Sequence, residues 1–136
     1  MKKVMIFGTF DIFHEGHKNL IAQARDFGDH MIVVVGRDET VKNVKGDYPL
    51  NNEEKRKAVI EKSGLAEEVV LGELDDKYAI IEKKRPDVIC LGYDQNFFVD
   101  ELRVRLQKMG LEKTKIVNLK AHKPEIYKSS KLKNKK

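Results

Sequence analysis

Gly8-Thr9-Phe10-Asp11-Ile12-Phe13-His14-Glu15-Gly16-His17 leaves a short apolar run, Lys3–Phe7, and enters a stretch where Leu20, Ile21, Ala24 and Phe27 recur at helical spacing. Met31–Val35 follows, an unbroken apolar run of the kind expected for a strand covered on both faces. Strand, helix and strand in this order make a βαβ unit, whose crossover is right-handed. The opening segment is therefore the turn at the carboxyl end of a parallel strand, the place where open α/β sheets bind ligands.

Working outward, Arg37–Leu50 is polar and contains lysines and glycine; it reads as a loop with a helical turn near Glu39–Asn43. Asn51 or Asn52 is placed to cap a helix beginning at Glu53-Glu54, whose acids suit the positive end of a helix, and Gly64 ends it. Val69–Leu71 is a short strand. Asp75 or Asp76 caps a helix running to about Lys84, and Pro86 stops that helix and leads into a strand, Asp87–Leu91. A helix over Val99–Lys108 ends at Gly110, and Lys115–Leu119 is the last strand. The tail, His122–Lys136, is basic and polar, with a short helix expected from Ser129. Five strands alternating with helices specify an α/β fold built on a doubly wound, five-stranded parallel sheet.

At 136 residues the chain fits a single domain with one core. Residues 1–122 form its body, and residues 123–136 are a basic motif and tail that completes the site. Hydrophobic residues make up 40% and charged residues 36%, the profile of a globular protein with a heavily charged surface. No apolar run approaches the roughly 20 residues needed to cross a bilayer, so no membrane role is expected. Met1–Phe7 is cut short at Gly8 and reads as a first strand rather than a signal peptide, which points to a cytoplasmic protein. Cys90, the only cysteine, lies in Val88–Leu91 and reads as a small core residue. The net charge of +5 suits polyanions or small phosphorylated substrates, and composition does not choose between them.

The chemistry sits in the opening segment. Gly8 lets the backbone turn tightly or approach a ligand closely. His14 and His17, three apart, share one face where the helix begins, beside unpaired backbone N–H groups and a positive dipole end that receive phosphates well. Gly16 between them leaves room for a bulky ligand. This suits attack by a phosphate oxygen on an α-phosphorus with pyrophosphate leaving. Alignment and charge stabilisation then suffice, supplied by imidazoles, the Thr9 hydroxyl and lysines. The nucleophile is already anionic at neutral pH and requires no general base. Two histidines at this spacing also suit zinc, but neither His30 nor His122 stands at motif spacing as a third ligand. The Gly-x-Gly-x-x-Gly turn and the P-loop are both absent. Plain capping or core histidines are the remaining structural alternative.

Gly8–His17 resembles the signature of the cytidylyltransferase-like nucleotidyltransferases, a His-x-Gly-His box after the first strand. The similarity runs on through Asp38-Glu39-Thr40 with Lys45-Gly46, Glu54-Lys55-Arg56 and Leu91-Gly92-Tyr93-Asp94-Gln95. Gly36–Thr40 and Gly92–Gln95 look closer to the archaeal-type FAD synthetases, which are FMN adenylyltransferases, than to the glycerol-3-phosphate cytidylyltransferases. The resemblance implies a Rossmann-like sheet and NMP transfer from ATP, or from CTP in the second group, to a phosphate-bearing small molecule. By the same carry-over, Gly8, Thr9, Phe10, His14, Gly16, His17, Gly92 and Asp94 hold the nucleotide. Both histidines stabilise the transition state, Lys45 reaches over the phosphates, and Asp11 and Arg56 contact nucleotide or acceptor. A homodimer is implied as well.

The family's last motif, Arg-Thr-x-Gly-Ile-Ser-Ser/Thr-Thr, departs here into Lys123–Ser130. Ser129 and Ser130 keep the hydroxyls and can begin a helix that donates to phosphate. Lys123 keeps the charge but loses the bidentate geometry of arginine, which bears on acceptor choice. Gly8–His17, Gly36–Lys45, Gly92–Gln95 and Lys123–Ser130 follow different strands of a parallel sheet and so emerge on one edge. A divalent ion, Mg²⁺, is expected to bind through the triphosphate, because no acidic cluster looks like a protein cage. A nucleic-acid-binding module is the rival reading, resting on the terminal lysines. It lacks an interleaved aromatic platform beyond Tyr127, so no nucleic-acid partner is expected. A ligand-binding protein without turnover is a third reading.

Overall fold

The computed structural model describes residues 1–74, 78–92 and 99–119. Among these described residues five strands and five helices follow one another: β1 Lys3–Gly8, α1 Glu15–Arg25, β2 His30–Val35, α2 Asp38–Lys45, α3 Glu53–Ser63, β3 Glu68–Leu71, α4 Ala79–Lys84, β4 Val88–Leu91, α5 Val99–Lys108 and β5 Lys115–Asn118. All strand pairs are parallel, in the order β3-β2-β1-β4-β5. The chain winds outward from β1 in one direction and from β4 in the other. The topological switch point therefore lies between the carboxyl ends of β1 and β4.

Alternation along the strands builds two cores. Val4, Ile6, Met31, Val33, Val35, Val88 and Cys90 face α1 and α3, meeting Ile21, Ala24 and Ile60. Met5, Ile32, Val34, Ile89 and Leu91 face the other way, toward Ile80 and Ile81 of α4 and Leu102 and Leu106 of α5. With both faces covered, the central strands are apolar through Val4–Phe7, Met31–Val35 and Val88–Leu91, which is why they read as unbroken runs. Burial pushes the Cys90 thiol up to about 12, so it stays protonated as a core residue.

Several local expectations are corrected. The segment read as a loop with a single turn forms the full helix α2. It looked unstructured because six of its eight residues are polar, Val41 and Val44 being the apolar pair and Val41 buried. The first helix starts at Glu15 rather than His17 and ends at Arg25, so Phe27 falls beyond it and is 37% exposed. Strand β3 begins one residue earlier than expected, at Glu68. Asn52, not Asn51, caps α3, its side chain accepting from Lys55 N–H at 2.8 Å. Gly64 closes that helix in the left-handed conformation at φ 70°, as glycine alone does freely. The expected caps Asp75 and Asp76 and the tail helix from Ser129 lie outside the described residues.

Candidate active site

The turn from β1 into α1 packs tightly onto itself. A Cβ at Gly8 would stand 2.8 Å from the Phe10 ring, so the ring closes over a residue that must lack a side chain. Phe10 and Ile12 both adopt positive φ, 54° and 53°. For a β-branched residue such as Ile12 this is strained backbone, of the kind that clusters at functional sites.

Starting α1 at Glu15 turns His14 into its N-cap. His14 Nδ1 accepts from Gly16 N–H at 3.0 Å, and His17 Nδ1 accepts from the His14 N–H at 3.3 Å. The two rings stack with centroids 3.9 Å apart. Phe13 stacks on His17 at 5.7 Å, and Phe10 meets it edge-on at 5.4 Å. Burial lowers the His14 pKa, against a smaller opposing pull from Glu15. The His17 pKa falls to about 3, chiefly through burial, then through His14 and Lys45, with Asp11 opposing. Both imidazoles are thus neutral at pH 7. Because each Nδ1 accepts a hydrogen bond, the single ring proton of each sits on Nε2. The pair therefore carries two Nε2–H groups at the positive end of α1, that of His14 being buried. The plain capping reading is correct in its geometry, and it also fixes the tautomer.

Lys45, expected on a loop, is the exposed last residue of α2 and lies near enough to His17 to depress its pKa. Gly36 N–H donates to Gly8 O at 2.9 Å, which joins the start of the second loop to the end of β1. Thr9 is half-buried beside this junction, Gly16 is buried, and Gly92 is buried at the end of β4.

Asp11 and Arg56, expected to contact nucleotide or acceptor, are each 1% exposed and engage the protein's own groups. Asp11 accepts from Leu50 N–H at 2.7 Å, Asn51 N–H at 3.1 Å and Asn51 Nδ2 at 3.2 Å. Arg56 donates from Nε to Asn51 O at 2.9 Å, from Nη1 to Thr9 O at 2.8 Å and from Nη2 to Asp38 Oδ1 at 2.6 Å. Glu53 adds a further tie, accepting from the first N–H of α2, Asp38, at 2.9 Å and from Arg37 at 2.8 Å. The start of α3 thereby joins the β1 turn to α2. Asn51 and Phe13 were not singled out in the sequence. Asn51 looks there like one more cap, and Phe13 like one more apolar residue. Asp94, Lys123, Ser129 and Ser130 lie outside the described residues.

Among the described residues no three His, Cys, Asp or Glu side chains are placed to hold a metal ion, and no helix is long and apolar enough to cross a membrane.

The sequence profile described as cytidylyltransferase-like matches residues 5–135. The FAD synthase of Ferroglobus placidus is 42% identical over 121 residues, covering 89% of this chain and 78% of that protein. The FAD synthase of Aciduliprofundum boonei is 43% identical over 122 residues, covering 90% and 80%. Among solved structures, the lipopolysaccharide core biosynthesis protein of Thermoplasma volcanium superposes with a TM-score of 0.83 at 36% identity, covering 90% of this chain and 98% of that one.

Proposed function

The chain belongs to the cytidylyltransferase-like family and is a nucleotidyltransferase, and on that premise we propose that it adenylylates FMN, making FAD and pyrophosphate. Identity of 42% and 43% to FAD synthases over most of the chain supports this acceptor and nucleotide over glycerol 3-phosphate and CTP. The observation that carries the chemistry is the stacked histidine pair, 3.9 Å apart, with both Nδ1 atoms engaged by backbone N–H groups.

In this reading a phosphate oxygen of FMN attacks the α-phosphorus of ATP. The new P–O bond forms as the bond to the bridging oxygen breaks, and that oxygen leaves with pyrophosphate. His14 and His17 donate from Nε2 to phosphate oxygens, strengthening these bonds as charge builds. Being neutral, they hold their protons throughout and act as donors rather than as general acids. The Thr9 hydroxyl, the backbone around Gly8, Phe10 and Gly16, and Gly92 shape the phosphate cradle, while Lys45 at the end of α2 neutralises the leaving group. By family resemblance, Asp94, Ser129, Ser130 and Lys123 complete the nucleotide and acceptor sites, which makes residues 123–136 part of the active site. Asp11 and Arg56 belong to the reaction as holders of loops, since their side chains are buried against protein groups. The divalent ion expected with ATP, Mg²⁺, would bind mainly through the triphosphate and would neutralise charge on the phosphates. Homodimerisation is supported by the family resemblance, and a cytoplasmic setting by the reading of Met1–Phe7 as a first strand.

A pyrophosphate-release assay tests this directly, offering ATP or CTP with FMN or glycerol 3-phosphate. The expected product is FAD, formed from ATP and FMN. Turnover with CTP and glycerol 3-phosphate but not with ATP and FMN would overturn the acceptor and keep the class.

A further inference from the structure

We infer that Asn51 is a positioning residue that holds the β1 turn, and through it the histidine pair, in working geometry. The inference rests on the nucleotidyl-transfer reading only for its kinetic consequence. Phe10 and Ile12, the positive-φ residues, stand on either side of Asp11, so the turn's strain is centred on a buried carboxylate. Such strain persists only where surrounding bonds over-determine it.

Here those bonds close a loop. Asn51 donates its backbone N–H and its amide Nδ2 to Asp11 Oδ1, at 3.1 and 3.2 Å. Its carbonyl accepts from Arg56 Nε at 2.9 Å, and Arg56 returns to the turn at Thr9 O, 2.8 Å from Nη1. Thr9 and Asp11 bracket Phe10, so the circuit grips the strained turn on both sides. Asn51 bonds to both ends of the clamp. The Phe10 ring is a wall of the His17 site, 5.4 Å away and edge-on, so any rotation of the turn displaces that wall. The same asparagine ties the segment that follows Lys45 and Gly46 to the turn, and thus holds the two phosphate-side loops in register.

Two variants of the full chain test this. Asn51→Asp puts a second carboxylate against buried Asp11; the two repel and one pKa is raised, so the pair is doubly charged at high pH and one member takes up a proton as pH falls and becomes a donor again. Asn51→Leu removes the amide Nδ2 donor without adding charge and keeps the backbone N–H bond. Expressed relative to wild type at each pH, kcat for Asn51→Asp should fall about a hundredfold at about pH 8, the loss that misplacing reactive groups brings. It should recover about tenfold by about pH 6 as the pair takes up its proton. Asn51→Leu should lose about tenfold at both pH values, with KM for ATP little changed in either variant. The Hε1 resonances of His14 and His17 should move in Asn51→Leu, a readout that needs no acceptor. Variants with kcat within about twofold of wild type and unmoved imidazole resonances would overturn the inference. So would an Asn51→Asp loss confined to KM or indifferent to pH. Should wild type make no product with FMN, the proposed function fails, while the imidazole resonances still judge the clamp.

Discussion

The two edges of the sheet use charge in opposite ways. At the amino-terminal edge, Arg25 grips Glu67 at 2.6 and 3.0 Å, and His30 and Lys84 both reach Glu68 at 2.6 Å. These side chains stay between 20% and 39% exposed, so water shares every bond. At the carboxyl edge, Asp11 and Arg56 are 1% exposed, and strained backbone lies beside them. Exposed pairs of the first kind contribute little, because solvent competes for each partner. Buried groups of the second kind dictate shape, because leaving any of them unpaired incurs its full desolvation penalty. The same residue types thus trim one edge and define the other, and the defined edge is the one that carries the histidines.

The comparison breaks most visibly at Arg56. Arg56→Met should lower stability by about 3–5 kcal/mol, because Asp38, Thr9 O and Asn51 O all lose a buried donor; urea unfolding measures it. A cost under about 1 kcal/mol would place this edge with the other. His17→Ala should leave the fold intact and lower kcat by about 10²–10³, the loss of one transition-state donor, as read in single-turnover assays.

A pH series sharpens the contrast. The His17 pKa is depressed to about 3 in the folded protein, whereas the unfolded chain binds that proton near the ordinary 6.5. The unfolded state therefore holds more protons between these values. The stabilisation from neutral His17 is present above about pH 6.5 and lost as pH falls toward 3. Glu67 is held at about 2, first by its bond to Arg25, so its contribution is present above about 4.5 and lost only below. Urea midpoints should thus decline between about pH 6.5 and 4.5 in wild type and decline less steeply in His17→Ala. The smallest effect is expected from Glu67→Gln, under about 1 kcal/mol near neutral pH and diminished further in high salt.

The five-stranded parallel sheet, its covered faces and the histidine box were legible in the sequence because they rest on local signals: unbroken apolar runs, helical spacing and a two-histidine turn. Helix α2 was not, since only Val41 and Val44 stand at helical spacing among six polar residues and its start is fixed by Glu53, fifteen residues away. The entry to α1 was missed because histidine is an unusual cap and Gly16 a poor helix former. Least legible was the burial of Asp11 and Arg56. Charged residues are ordinarily exposed, and their partners, Asn51 and Thr9, stand 40 and 47 positions away.

The central claim is that His14 and His17 are neutral Nε2–H donors that grip the triphosphate. Nitrogen-15 NMR of the imidazoles at pH 7, without and with Mg-ATP, tests it most directly. Both rings should report the Nε2–H tautomer in the free protein, and both Nε2 protons should shift when nucleotide binds. Protonated rings in the free protein, an Nδ1–H tautomer, or resonances indifferent to bound ATP would contradict the account.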